Sequence, residues 1–143
     1  MRAKWCVALS CLLAINVVAV AQDGKQQSDP QLKWVRNIAN DFWTCMRGCD
    51  YRQAAGLLSP ELSDAAKGHL FGVEGYLQSL TGGFSSATTT SEEMAPDRSE
   101  VVFRGTLSGD GPTLEYVLRI AKESNGRWSV RFLRIKQREQ NQK

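Results

Sequence analysis

Histidine is nearly absent from this chain: His69 is the only one in 143 residues. That excludes a metal centre built on several imidazoles and leaves a single side chain that could titrate near neutral pH. Cysteine is also scarce, with four residues, and no C-x-x-C spacing occurs. A thioredoxin-like redox motif is therefore missing. Long apolar runs are limited to one, Cys6 to Ala21 (CVALSCLLAINVVAVA), at the start of the chain.

That run follows Arg2 and Lys4 and closes on Ala19-Val20-Ala21, an A-x-A site just before Gln22. It has the form of a secretory signal peptide over residues 1–21, and it is shorter than the roughly 20 apolar residues of a spanning helix. Cleavage would leave 122 residues, enough for one domain with one core. It would also leave 16 basic against 15 acidic side chains, a net charge of +1 in place of +3. Nucleic acid needs a clustered basic surface, so it is not expected as a partner. A membrane role is expected only through export, with a periplasmic or secreted location.

Residues 22–29 read as a flexible polar leader, 30–137 as the folded domain and 138–143 as a polar tail. Two cysteines survive cleavage, Cys45 and Cys49, in a disulfide-permissive compartment. Gly48 between them can end a helix, which favours a local disulfide pinning a helix corner over a redox pair or a metal site.

The first element starts at Asp29-Pro30, a capping residue before a proline at the first helical position. Leu32, Val35, Ile38, Phe42 and Cys45 or Met46 then form a helical stripe, with Trp34 and Trp43 off it. Asp50 and Gln53 have capping-box spacing, and Tyr51, Ala54, Ala55 and Leu58 face inward. Ser59-Pro60-Glu61 opens a third helix that runs toward Gly82-Gly83. Gly68, Gly72 and Gly75 interrupt it, and a break near Gly72 is expected.

From Gly83 the period becomes two. Phe84–Thr90 reads as a strand and Ser91–Asp97 as a connection. Val101, Phe103 and Leu107 alternate before the turn Ser108–Pro112. Leu114, Tyr116, Leu118 and Ile120 follow, with Glu115 and Arg119 opposite. Asn125-Gly126 is a hairpin turn in which both positions tolerate positive φ. Beyond it, Phe132-Leu133 breaks the phase set by Trp128 and Val130, as a bulge would. The reading is an α+β domain in which helices pack on one side of an antiparallel meander of about four strands.

The run from Gly48 to Leu62 (GCDYRQAAGLLSPEL), with the closing Asn125 to Ile135 (NGRWSVRFLRI), resembles exported bacterial members of the NTF2-like superfamily, including the DUF4878 group. The likeness covers roughly residues 31–136. It implies a cone in which a curved sheet wraps a long first helix and leaves a pocket at its open end. Because that cone serves enzymes and inert binding modules alike, fold does not choose between them.

Enzymes of that kind place an acid, or an acid with a histidine, inside the cone. The candidates here are His69, Asp41 and Glu115, and each has a plainer reading: a packed or exposed histidine, a solvated helix face and an exposed ion pair with Arg119. A small apolar ligand would call on Trp43, Tyr76, Phe103, Tyr116 and Trp128, which otherwise fill the core. A protein partner or a second copy would use the alternate sheet face with Val102, Val117 and Leu133. The expected role is therefore binding without catalysis, metal or cofactor, with an isomerase or lyase using His69 and a carboxylate as the alternative.

Overall fold

A computed structural model of the chain describes residues 29–138. The expected signal peptide over residues 1–21, residues 22–28 of the expected leader and residues 139–143 of the expected tail lie outside the described residues. Contacts separate the structure between Trp34 and Val35, so the opening turn is described by itself. There Asp29 caps the helix, its Oδ1 accepting from the N–H groups of Gln31 at 3.0 Å and Leu32 at 3.4 Å. Trp34 in this turn is exposed.

Four helices precede four strands: α1 (Pro30–Arg47), α2 (Tyr51–Gly56), α3 (Pro60–Lys67), α4 (Gly72–Thr81), β1 (Ser86–Met94), β2 (Glu100–Ser108), β3 (Leu114–Lys122) and β4 (Trp128–Gln137). From Val35 onward, α1 buries Val35, Ala39, Phe42, Trp43 and Met46. Compared with the expected stripe, the helix is rotated so that Trp43 lies inside while Ile38 and Cys45 are only half-buried.

The end of α1 departs from expectation. Gly48 does not take the left-handed position; Cys49 does, at φ 59°. The Cys49 N–H bonds to Met46 O at 3.2 Å and the Asp50 N–H to Cys45 O at 2.8 Å, the paired bonds of a Schellman ending. Asp50 then caps α2 by accepting from Gln53 N–H at 3.2 Å. The return half of the capping box is not made, because the Asp50 N–H is already committed to Cys45 O.

Ser59 caps α3, its Oγ accepting from Leu62 N–H at 3.2 Å. The expected break falls between Lys67 and Gly72, and Gly72 turns left-handed at φ 68°. Gly75 lets α4 pack under Phe71, whose Cβ would lie 2.2 Å from any added Cβ.

The strands form one open antiparallel sheet in the order β1-β2-β3-β4. β1 runs longer than expected, through Ser91–Met94, with an irregularity between Thr89 and Ser91. That extra residue sets Glu92 opposite the inward Phe103, where its carboxylate receives the Arg36 guanidinium of α1. Nε donates to Oε2 at 2.7 Å and Nη2 donates to Oε1. An ion pair between elements, rather than apolar periodicity, explains why this acidic stretch is strand.

Val101, Phe103 and Leu107 of β2 and Tyr116, Leu118 and Ile120 of β3 are buried with the helix stripe. In β4 the register slips opposite Arg119/Ile120, pairing Arg119 with Phe132 and Ile120 with Val130. Arg131 is the extra residue. The bulge therefore exists, but it turns Phe132 outward and Leu133 inward, correcting the placement of Leu133 on the alternate face.

The β3–β4 turn also differs. Only Gly126 is left-handed, at φ 86°, and the Gly126 N–H bonds to Glu123 O at 2.9 Å. This is a type I turn closed by a glycine bulge.

The α2–α3 corner docks on β4. Ser59 N–H donates to Val130 O and Val130 N–H to Leu57 O, both at 2.8 Å. These bonds occupy part of an edge that would otherwise offer free backbone groups.

Replacing Cys49 by glycine removes the side-chain cost of the left-handed conformation and should stabilise the protein by about 1 kcal/mol in urea denaturation. Gly105→Ala should act oppositely. An added Cβ would lie 2.0 Å from Thr88 O and 2.7 Å from the Tyr116 hydroxyl. The expected loss is about 2 to 3 kcal/mol in the same measurement.

Candidate binding face

The side chains offered by sequence for proton transfer do not converge. His69 sits in the exposed connection between α3 and α4, its ring edge-on to Tyr76 at 5.9 Å. Asp41 is exposed on α1. Neither forms a hydrogen bond or ion pair with the other among the described residues. Glu115 lies on the sheet face away from the helices, with Lys136 Nζ at 3.5 Å and Arg138 Nε at 3.9 Å. Arg119 is not its partner: that guanidinium lies over the Phe132 ring, 5.2 Å from its centroid.

The five aromatic residues do not line one cavity. Trp43, Phe103 and Tyr116 are interior, Tyr76 is half-buried beside His69, and Trp128 is half-buried at the start of β4. Trp43 and Tyr116 have ring centroids 4.6 Å apart, and Trp43 also meets Phe42 at 5.1 Å and Phe84 at 5.8 Å, both edge-on. Phe42 and Phe84 thus join a cluster that periodicity alone did not assemble.

The Tyr116 hydroxyl shares a hydrogen bond of 2.8 Å with Thr89 Oγ1. Burial pushes this phenol above its ordinary pKa, and the contacts with Thr89 and Trp43 oppose the shift. Although the Trp43 indole N–H acts on Tyr116 in this way, it makes no hydrogen bond of good geometry.

The expected disulfide is not formed; Cys45 and Cys49 are free thiols. The two turn to different neighbours. Cys45 Sγ lies 3.9 Å from Gln53 Oε1, and Cys49, held by the Schellman ending, contacts the Tyr51 hydroxyl. Burial, then the charges of Asp50 and Asp41, push the Cys45 thiol up. A shift in that direction disfavours the nucleophilic thiolate of Cys45. No cluster of three or more metal-binding side chains occurs among the described residues.

Two clefts remain. One, of about 480 Å³, lies between the α4–β1 and β2–β3 connections, with Phe84, Leu107 and Leu114 in its wall. Thr81 also borders it, and Thr81 Oγ1 is buried without a hydrogen-bond partner among the described residues.

The other, of about 470 Å³, is a groove on the sheet face that no helix covers. Pairing across β2, β3 and β4 aligns Arg104, Val117 and Arg134 in one row and Thr106, Glu115 and Lys136 in the next. Glu115 is the only acid in the lining, against Arg104, Arg134, Lys136 and Arg138. Three positive charges are in excess there. Lys136 and Arg138 share the one carboxylate, whereas the guanidinia of Arg104 and Arg134 form no ion pair among the described residues.

No family model, curated protein or solved structure matches this chain. The groove must be read from its own chemistry. Alternation in β2 put Arg104 on the outer face, but only the bulge in β4 and the cross-strand register show that Arg134 shares that face and that the two flank one valine.

Alkylation should distinguish the two thiols. Exposed Cys49 should react at least ten times faster than Cys45 with iodoacetamide at pH 8, as followed by peptide mass mapping.

Proposed function

We propose that this chain is an exported NTF2-like domain, with the sheet curved around α1 as a cone, that works by binding through its uncovered sheet face and not by catalysis. The order of helices before an antiparallel meander supports the cone, as do the caps along Gly48–Leu62 and the hairpin before β4. His69 is exposed and pairs with no carboxylate among the described residues, which removes the support for an isomerase or lyase.

One observation carries the binding reading. Two arginines without acidic partners among the described residues, Arg104 and Arg134, flank the half-buried Val117 on a face of the sheet that the helices leave open. Both arginines are exposed, as on a purely structural surface, but they border a groove of small-molecule size in which Val117 supplies an apolar contact. The interior aromatics favour this face over the cone interior, because they are consumed in packing against one another. A small apolar ligand finds its best support in the cleft walled by Phe84, Leu107 and Leu114, where the buried Thr81 hydroxyl is unpartnered.

Native mass spectrometry of gently purified protein tests the reading. Wild type should carry an adduct, whether a small molecule, a second copy or another chain. Val117→Asp should lose it while keeping its circular dichroism and melting temperature. A bare wild-type monomer, or an adduct equally retained by Val117→Asp, would overturn the assignment to this face.

A further inference from the structure

We infer that the groove on the uncovered sheet face takes a small ligand with an anionic group at each end and an apolar middle. The inference rests on the reading of that face as the working surface and goes further by naming the ligand chemistry.

Arg104 on β2 and Arg134 on β4 both pair with Val117 of the central β3. Their Cα atoms are therefore separated by two inter-strand spacings, about 9 to 10 Å. Guanidinium groups bind carboxylate or phosphate oxygens through two parallel N–H donors, so each arginine can hold one end group in a defined orientation. Val117 between them is half-buried and offers an apolar seat for the segment joining those ends. The groove volume of about 470 Å³ is in the range of small-molecule sites.

The neighbouring charges make the two arginines the primary contacts. Lys136 and Arg138 are drawn toward Glu115, at 3.5 and 3.9 Å, and that carboxylate repels a third anionic group placed over the adjacent row. On the other side Arg119 is engaged by the Phe132 ring at 5.2 Å. Among the cations that line the groove, Arg104 and Arg134 are the two with neither a carboxylate nor an aromatic face to occupy them among the described residues. The expected guest is thus a chain with two charged ends, as in a medium-length dicarboxylate or an organic bisphosphate, and not a single compact anion.

Calorimetric titration of adduct-free protein with suberate, succinate and octanoate at low salt provides the test. Suberate matches the span and the apolar floor, succinate is too short, and octanoate has one charged end. Suberate should bind at least ten times more tightly than either of the others. Arg104→Gln and Arg134→Gln should each bring suberate down to the octanoate level, whereas Arg104→Lys should fall between. Arg47→Gln, on the exposed end of α1, should leave all three unchanged, and circular dichroism should show every variant folded. Equal affinity for the three probes, no binding of any, or an equal loss in Arg47→Gln would overturn the inference. If those results appear while Val117→Asp still abolishes the native adduct, the ligand chemistry is wrong and the face is right. If Val117→Asp changes neither measurement, the face itself is wrong.

Discussion

The absence of a side chain at Gly105 is the constraint on which most of this structure depends. Any Cβ there would collide with Thr88 O and with the Tyr116 ring, so the space it would fill belongs to Tyr116. With that space open, Tyr116 crosses from β3 over β2 and reaches Thr89 on β1 with its hydroxyl. Its ring meets Trp43 of α1 at 4.6 Å. One residue thereby ties three strands and the long helix together. A tyrosine suits the position because its ring supplies buried area while its polar tip finds a hydroxyl partner at the strand edge.

Two extra residues in the strands do comparable work on the charges. Strict alternation inward from Thr89 would turn Ser91 and Glu93 toward the helices. The irregularity at Thr90 substitutes Glu92, which meets Arg36, and the Thr90 hydroxyl donates to Arg104 O at 3.1 Å across the disturbed ladder. In β4, alternation from Ile135 and Leu133 would point Arg131 into the core. The extra position lets Val130 take the inner place instead. Both irregularities match the usual role of bulges, which re-aim side chains where regular pairing would bury a charge without a partner.

The α+β class, the four helices, the break before Gly72 and the meander were legible because caps, glycines and period-two alternation are local signals. The Asp29, Asp50 and Ser59 caps act within three residues, and the sequence states them directly. What it could not state were choices made by distant partners. Ser91–Met94 looks like a polar connection until Arg36, 56 positions away, supplies a counter-charge for Glu92. Cys45 and Cys49 look like a bridge until the Schellman bonds turn Cys49 toward Tyr51. The groove was illegible for the same reason: Arg104 and Arg134 are 30 residues apart, and only the register through Val117 brings them to one row.

The bulge in β4 finally links the core to the outer face. By moving Leu133 inward it places Phe132 outward, directly opposite Arg119 on β3. An exposed aromatic at that point offers its face to the nearest cation, and Arg119 lies over it. Had alternation continued unbroken, Arg131 would have been buried and no ring would stand beside Arg119. A single inserted residue therefore completes the core with valine and engages one outer arginine. One row away, Arg104 and Arg134 are the two cations of the groove lining that have no ion-pair or ring partner among the described residues.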